Sequence, residues 1–570
     1  MASKKVTARG IEPTTVDELT VFSNPIQQND VSLLGGLVRL QYWESIMQDT
    51  IHATVVYSDT GNSMDKKSAV DGLPIVGQEK VSLSFKDHQD NELVFKDDTA
   101  LYVNKVTPIA DDTTKSMVHL DLVSKEYIMN EKVRLNTRFD GKIANGSGAE
   151  GNATANANNG GHIEKILKTD EKYLATKKDI DIDKTVNNYN FIGNNRKPFY
   201  TLNWLSKMGI PDTDKAEGNT AGFFFWETSE GFKYKAIDTL LDKTKNPQKK
   251  SIIFNQSVDG ESIPQGYDVK ALAYELDNRV DVQTKYKMGA YSNRIVMFDP
   301  FNCFYEVIAP NAGVTKTDAE NVGTPENEPA NKKNLTTAGR GLPLLNKEFD
   351  REGKNQDYTR TTYMLLDTGT MPTGDTDEQL NKSKDINFDA KSVLNQSIMR
   401  MNQLFSQKTT VTIPGDFSLH AGDSIFIDAP QLETDTSNDD VNQESGGLYI
   451  ISDLCHLITP KETYTKLNLI RDSFGRKGNH TTGRYPMADI KHDLDHEVYI
   501  EADGKEHVNH GKMEYTKADL ESAHAYYDEY HKNDEPETGI NDWHNRHQDK
   551  HLEVYCDNHP DAEECRVYDE

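Results

Sequence analysis

The residues whose types and spacing could do chemistry lie near the C-terminus. His544, His547 and His551 are three and four apart, which on a helix puts three imidazoles on one side, a geometry able to ligate Zn. A solvated polar face offers the same spacing. From Asn479 onward the chain is acidic and aromatic-rich and holds eleven of the seventeen histidines, so a histidine there is common rather than selected. No metal ligands are assigned. Cys556 and Cys565 flank an acidic loop and could bridge, although a chain made in a reducing cytosol seldom does so. Cys303 and Cys455 sit in apolar strand-like runs and read as small buried side chains.

The search for a catalytic constellation is otherwise negative. His496-Glu497 is followed by Val498-Tyr499-Ile500 and so lacks the second histidine of H-E-x-x-H. There is no G-x-x-x-x-G-K-[ST], no G-x-S-x-G and no C-x-x-C. One G-x-G-x-x-G match, Gly146 to Gly151, runs on into Asn and Ala instead of opening a helix, so it lacks the convergent N–H groups and dipole of a phosphate cradle. Paired carboxylates for glycoside hydrolysis depend on a separation that only the fold sets, and with 92 acidic residues a given one is ordinarily surface charge. The sequence therefore points to no catalytic residue, no cofactor-binding residue and no cofactor, and the chain reads as a non-enzyme.

Composition narrows the class. A chain of 570 residues buries several cores without disulfides, and its net charge of -28 argues against a surface that seeks nucleic acid. That charge suits a soluble assembly component, or a channel wall that must not hold passing DNA. The N-terminus, Met-Ala-Ser-Lys-Lys, lacks the apolar core of a signal peptide, and no run is long enough to cross a bilayer. The expectation is a protein made in the cytoplasm and not inserted in a membrane.

The elements are mostly strands. From Lys391 an amphipathic helix (Val393, Leu394, Ile398, Met401, Leu404, Phe405) precedes four β-type runs: Val411 to Ile413, Ile425 to Ile427, Leu448 to Ile458 and Tyr464 to Ile470. This pattern has an echo upstream. Leu101-Tyr102-Val103 matches Leu448-Tyr449-Ile450, and Leu120-Asp121-Leu122-Val123 matches Leu467-Asn468-Leu469-Ile470 with the same spacing. Gly77-Gln78-Glu79-Lys80 leading into Val81, Leu83 and Phe85 parallels Gly422-Asp423 leading into Ile425 and Ile427. Three matches in one order predict two copies of one β-domain.

The predicted organisation is a polar arm over 1–20, a first β-domain over 21–143, and a flexible linker over 144–161. An α/β connector domain over 162–267 follows. The second β-domain is split into 268–307 and 391–472 by a polar insertion over 308–390, and 473–570 form an acidic, His-rich C-terminal extension. Within these, Tyr42 to Ile46 reads as a short helix or turn, Ser124 to Asn130 and His162 to Thr169 as helices, and Tyr286 to Tyr291 as part of a β pattern. A second amphipathic helix carries Leu202, Trp204, Leu205 and Met208. Phe223 to Ile237 reads as a buried hairpin rather than a ligand-stacking platform. Thr516 to Lys532 reads as a helix. The fold class is mainly β with α/β parts.

Several pieces, taken in order, resemble the central baseplate hub protein of T-even-like contractile-tailed phages and, more distantly, hub proteins of other contractile injection systems. They are Tyr42-Trp43-Glu44-Ser45, Leu73-Pro74-Ile75-Val76-Gly77, Pro198-Phe199 with Leu202-Asn203-Trp204-Leu205, Phe223 to Ile237, and Gly289-Ala290-Tyr291-Ser292. Gly415-Asp416 to Gly422-Asp423, Leu448-Tyr449-Ile450, His456 and Leu467-Asn468-Leu469 complete the set. The resemblance covers about 30–472; the inserts and the region after Gly478 depart from it.

The resemblance implies two tail-tube-like antiparallel β-barrel or sandwich domains in each subunit of a homotrimer. Three chains with two copies each form a pseudo-sixfold ring that joins a sixfold tail tube to a threefold cell-puncturing spike. It implies an axial channel for DNA without specific nucleic-acid binding. It also implies spike, tube or tube-initiator, tape measure and other baseplate proteins as partners, and a place in the tail baseplate of a virion assembled in the host cytoplasm. The alternative is a hub with a fused cell-wall hydrolase or a metal-binding C-terminal module.

Overall fold

A computed structural model describes residues 14–24, 29–64, 66–111, 114–146, 161–212, 221–242, 245–254, 267–278, 282–288, 294–300, 303–308, 360–365, most of 394–429, 446–471, 496–500 and 506–510. The fold is mainly β. The first strands are β1 (Thr15–Phe22), β2 (Asp30–Ser32), β3 (Leu37–Ser45), β4 (His52–Asp59), β5 (Lys80–Lys86), β6 (Glu92–Phe95), β7 (Leu101–Asp111) and β8 (Ser116–Ser124). The middle of the chain holds β9 (Arg138–Phe139), β10 (Ile180–Ile182), β11 (Phe191–Ile192), β12 (Phe223–Thr228) and β13 (Gly231–Ala236). Then come β14 (Gln248–Ile253), β15 (Val269–Lys270), β16 (Ala273–Asn278), β17 (Arg294–Asp299), β18 (Phe304–Ile308) and β19 (Thr361–Leu365). The last of this unit are β20 (Gln407–Pro414), β21 (Ser424–Asp428), β22 (Gly447–Ile458) and β23 (Thr463–Arg471). A second compact unit, 488–570, contains the antiparallel pair β24 (His496–Ile500) and β25 (Glu506–His510), with His496 opposite His510.

Strand alternation does what the sequence requires of it. Along β23, Thr463, Thr465, Leu467 and Leu469 are buried while Lys466 and Asn468 are exposed, the period-two pattern of a sheet with one face in the core. The turn after β4 is fixed by Asp59, whose carboxylate accepts N–H groups from Gly61 (2.8 Å) and Ala69 (2.6 Å).

The duplication is visible in the pairing. One set of strands runs β5–β7–β8–β4–β3 and the other β21–β22–β23–β20–β16, every neighbour antiparallel. The correspondence extends to single bonds. Gln78 N–H donates to Val103 O (2.7 Å) and Val103 N–H to Glu79 O (2.9 Å); Gly422 N–H donates to Ile451 O (2.8 Å) and Ile451 N–H to Asp423 O (2.9 Å). Both β7 and β22 then bulge, and the bulges fall opposite Asp121–Leu122 and Asn468–Leu469.

These bonds place Leu101 with Tyr449 and Val103 with Ile451, all four in one continuous core. The match of Leu101-Tyr102-Val103 to Leu448-Tyr449-Ile450 is therefore one residue out of register. Such a slip exchanges the two faces of a strand, and apolar residues on both faces of β22 conceal it in the sequence.

Other expectations change as well. Tyr42 to Ser45 is strand, not helix or turn, because β3 is paired on both edges, to β4 and to β22. Val282–Met288 is a helix where a β pattern was read. β17 pairs with β18 on one edge and β19 on the other in a separate three-stranded sheet whose Ile295, Met297 and Met364 join the core of the α/β region, whereas β14 joins the large sheet beside β21. The helices Lys125–Lys132 and Pro198–Ser206 and the β12–β13 hairpin form as the sequence indicates. The Thr516 to Lys532 helix lies outside the described residues.

Candidate functional site: a buried polar junction between the β repeats and the α/β region

Two Trp-Glu pairs, Trp43-Glu44 in β3 and Trp226-Glu227 in β12, put a carboxylate directly after an aromatic side chain inside a strand. Both carboxylates are buried, and both sit where separate parts of the chain meet. Glu44, from the first repeat, accepts the Tyr42 hydroxyl (2.7 Å), the Ser229 N–H of the hairpin turn (2.9 Å) and the Ala421 N–H of the loop before β21 (2.9 Å). His420 Nδ1 stands 3.3 Å from the same carboxylate, and its Nε2 is 3.7 Å from Glu230. One side chain thus ties together the first repeat, the second repeat and the hairpin.

Burial by itself would lower His420, but Glu44 beside it, with Asp423 and Glu230 behind, pushes it up to about 9. Burial would raise the Glu44 carboxyl, and the His420 charge with the hydrogen bonds it receives instead holds it below its usual range. Ser229 Oγ lies 3.4 Å from His420, which suggests a Ser-His-Glu arrangement. It is not one. Ser229 and Glu44 both face Nδ1, and the carboxylate on the Nε2 side, Glu230, stands 3.7 Å away, beyond hydrogen-bond distance, so no acid orients the ring through its second nitrogen.

Glu227 anchors the other half. It receives Lys178 Nζ (2.6 Å), Ile51 N–H (3.2 Å) and the Ser124 hydroxyl. Lys178 also meets Glu126 (2.9 Å), which takes the Thr176 hydroxyl (2.6 Å). Burial raises the Glu227 carboxyl, and the neighbouring Glu126 adds to that against the pull of Lys178. Burial would depress Lys178, but the two carboxylates outweigh it and hold its ammonium above the usual range. Two acids sharing one ammonium could exchange a proton in an enzyme. Here the three side chains are 3% exposed or less, so no substrate reaches them, and the group serves as a charged clamp.

The aromatic run of β12 closes the junction. Phe223 and Phe225 enter the core of the α/β region, while Phe224 and Trp226 turn the other way, against Ala421, Ile450 and Ile470 of the second repeat. Trp226 Nε1–H donates to Ala421 O (3.0 Å). Gly422 has a φ of +96°, and a Cβ there would lie 2.6 Å from the indole, so the position requires glycine twice over.

Among the described residues no group of three His, Cys, Asp or Glu is placed to hold a metal. His544, His547, His551, Cys556 and Cys565 lie outside them. Cys455 is half-buried, its thiol pushed by burial up to about 11, but Cys303 is exposed in a turn with φ +50°, a correction to its reading as buried. The N–H groups of Asn145 (2.7 Å) and Gly146 (2.8 Å) are spent on Glu164, so the first glycine of the G-x-G-x-x-G match faces an internal carboxylate. Sequence reasoning named Glu44, Glu227 and His420 only as parts of longer runs and passed over Lys178; a Glu inside a β-branched or aromatic strand was the available signal.

Comparison with known proteins gives the following. Residues 537–569 match the family model described as CP12 domain; they lie outside the described residues. No curated protein matches the chain. Among solved structures the chain is similar to the 43 kDa tail protein of prophage MuSo2 from Shewanella oneidensis (7% identity, 80% of this chain and 98% of that one, TM-score 0.41). It is also similar to the tail protein from Neisseria meningitidis MC58 (9%, 80% and 96%, 0.39) and to prophage tail protein gp18 from Listeria monocytogenes EGD-e (8%, 84% and 99%, 0.36).

Proposed function

We propose that the protein is a structural, non-enzymatic component of a contractile phage tail: a baseplate hub that works as a symmetry adapter. Three chains with two β repeats each form a pseudo-sixfold ring that meets the sixfold tail tube on one face and the threefold spike on the other. The observation that carries this reading is the repeated strand order β5–β7–β8–β4–β3 and β21–β22–β23–β20–β16 within one chain. Two diverged copies can present six equivalent surfaces to a tube while the parts that differ, the α/β region above all, present three. The ordered motifs shared with phage hubs support the same conclusion.

In this reading the buried junction holds the two repeats at one fixed angle, as ring closure demands. The net charge of -28 suits a channel that repels DNA phosphates and lets the genome slide. Tube, spike and tape measure proteins are its partners. Light scattering of the purified chain tests the proposal, with end-on electron micrographs beside it. The expected result is a mass of three chains and a ring with six lobes; a stable monomer or a twofold dimer would remove the adapter.

A further inference from the structure

We propose that Lys178 and Glu227 condense within the folded chain to an amide cross-link between Nζ and Cδ, with Glu126 carrying the protons. The inference does not depend on the hub reading; it concerns what becomes of the buried clamp.

Three requirements of uncatalysed amide formation meet at this group. The nucleophile is already held against its target: Lys178 Nζ lies 2.6 Å from Glu227 Oε1, and a single C–O bond separates that oxygen from the carbon to be attacked. The charge that develops on attack has donors waiting for it. Glu227 Oε2 accepts the Ile51 N–H (3.2 Å) and the Ser124 hydroxyl, an arrangement suited to an oxyanion. A base touches the nucleophile as well: Glu126 Oε2 is 2.9 Å from Nζ, while its Oε1 is steadied by the Thr176 hydroxyl (2.6 Å). The Phe232 ring lies 5.8 Å from Nζ, and all three ionic side chains are buried, so bulk water does not drive the reverse hydrolysis. The two carboxylates are told apart by their far oxygens. That of Glu227 has two donors and that of Glu126 one, so Glu227 is the acyl group and Glu126 the shuttle.

The two carboxylates hold the nitrogen as ammonium at rest, so the reaction begins with transfer of a proton from Nζ to Glu126. The freed lone pair forms the N–C bond at Cδ, and the C–Oε1 bond breaks. Of the three ammonium hydrogens, one stays on the amide nitrogen and two leave with Oε1 as water, both carried by Glu126, which ends as the carboxylate it began. Lys178 and Glu227 thereby lose one charge each, leaving the net charge of the group unchanged while two of its three buried charges disappear. Glu126 keeps a donor at each oxygen, the new amide N–H at Oε2 and the Thr176 hydroxyl at Oε1.

Mass spectrometry of the full-length chain tests this directly. The denatured wild type should weigh one water less than its sequence. Trypsin should fail to cut after Lys178 and should release the Lys178 peptide joined to the one that contains Glu227. Lys178→Arg keeps the positive charge but has no amine to acylate, and should show the full mass. Glu126→Gln, which removes the shuttle and keeps the shape, should lower the linked fraction of purified protein by at least about tenfold. A folded wild type of full mass, cut normally after Lys178, overturns the proposal. So does a lost water that persists in Lys178→Arg or maps to another part of the chain. Each of these results leaves the hub reading as it stands.

Discussion

The two β repeats share strand order, bulge position and main-chain bonds, yet differ in what they connect. In the first, β3 reaches β4 through Ile46–Ile51 alone; in the second, the equivalent step from β16 to β20 takes 279–406 and includes a three-stranded sheet. The loop before β5 leaves Val76 79% exposed, whereas its counterpart before β21 is covered by Trp226 and bonded to Glu44. The shared part is what strand pairing dictates. The unshared part is what each repeat meets outside itself.

That contrast can be broken in order of expected effect. Lys178→Met strands two buried carboxylates that only the second repeat's neighbour, the α/β region, and the first repeat hold between them. It should cost about 3–5 kcal/mol in urea unfolding, and a loss under 1 kcal/mol would mean the clamp is already protonated.

The His420–Glu44 link should show in pH dependence. The folded His420 is raised to about 9 from an ordinary 6.5, so its stabilisation is full below about 6.5 and lost as pH rises toward 9. The amount is on the order of 2–3 kcal/mol. Glu44, held below its usual range, loses its share at the acid end, as pH falls through the ordinary Glu value. Unfolding free energies between pH 6 and 8.5, below the range where Cys455 and the buried tyrosines contribute, should decline for the wild type and much less for His420→Gln; parallel curves would refute the assignment.

The glycine comparison is sharper and smaller. Gly422 and Gln78 occupy the same place, with φ of +96° and +73°. Gly422→Ala should cost about 2 kcal/mol, since its Cβ meets an indole that is itself buried. Gln78→Gly should change stability by less than about 1 kcal/mol, because relief of the left-handed backbone offsets the added chain entropy. Equal losses at the two sites would show that the hairpin contact is not what separates the repeats.

Much of the fold was legible in the residues. Alternation at Val411 to Ile413 and Tyr464 to Ile470 and the aromatic hairpin at Phe223 form where their patterns put them, because each is set by neighbours in sequence. Tyr42 to Ser45 misled for the opposite reason: a residue run with no strong local preference takes its conformation from two partner strands, one of them more than four hundred residues away.

The junction shows the same division. That Glu44 and Glu227 each follow a tryptophan inside a strand pattern is written in the chain, and so is the doubled pattern of the β repeats. That Glu44 meets His420, that Glu227 meets Lys178, and that Leu101 stands with Tyr449 rather than Leu448 was settled only on folding. Side-chain alternation specifies a face and a spacing of two; it carries no information about which distant strand lies alongside, or about the bulge that shifts the count by one. Partners brought together from remote segments are chosen by the packing of the whole sheet.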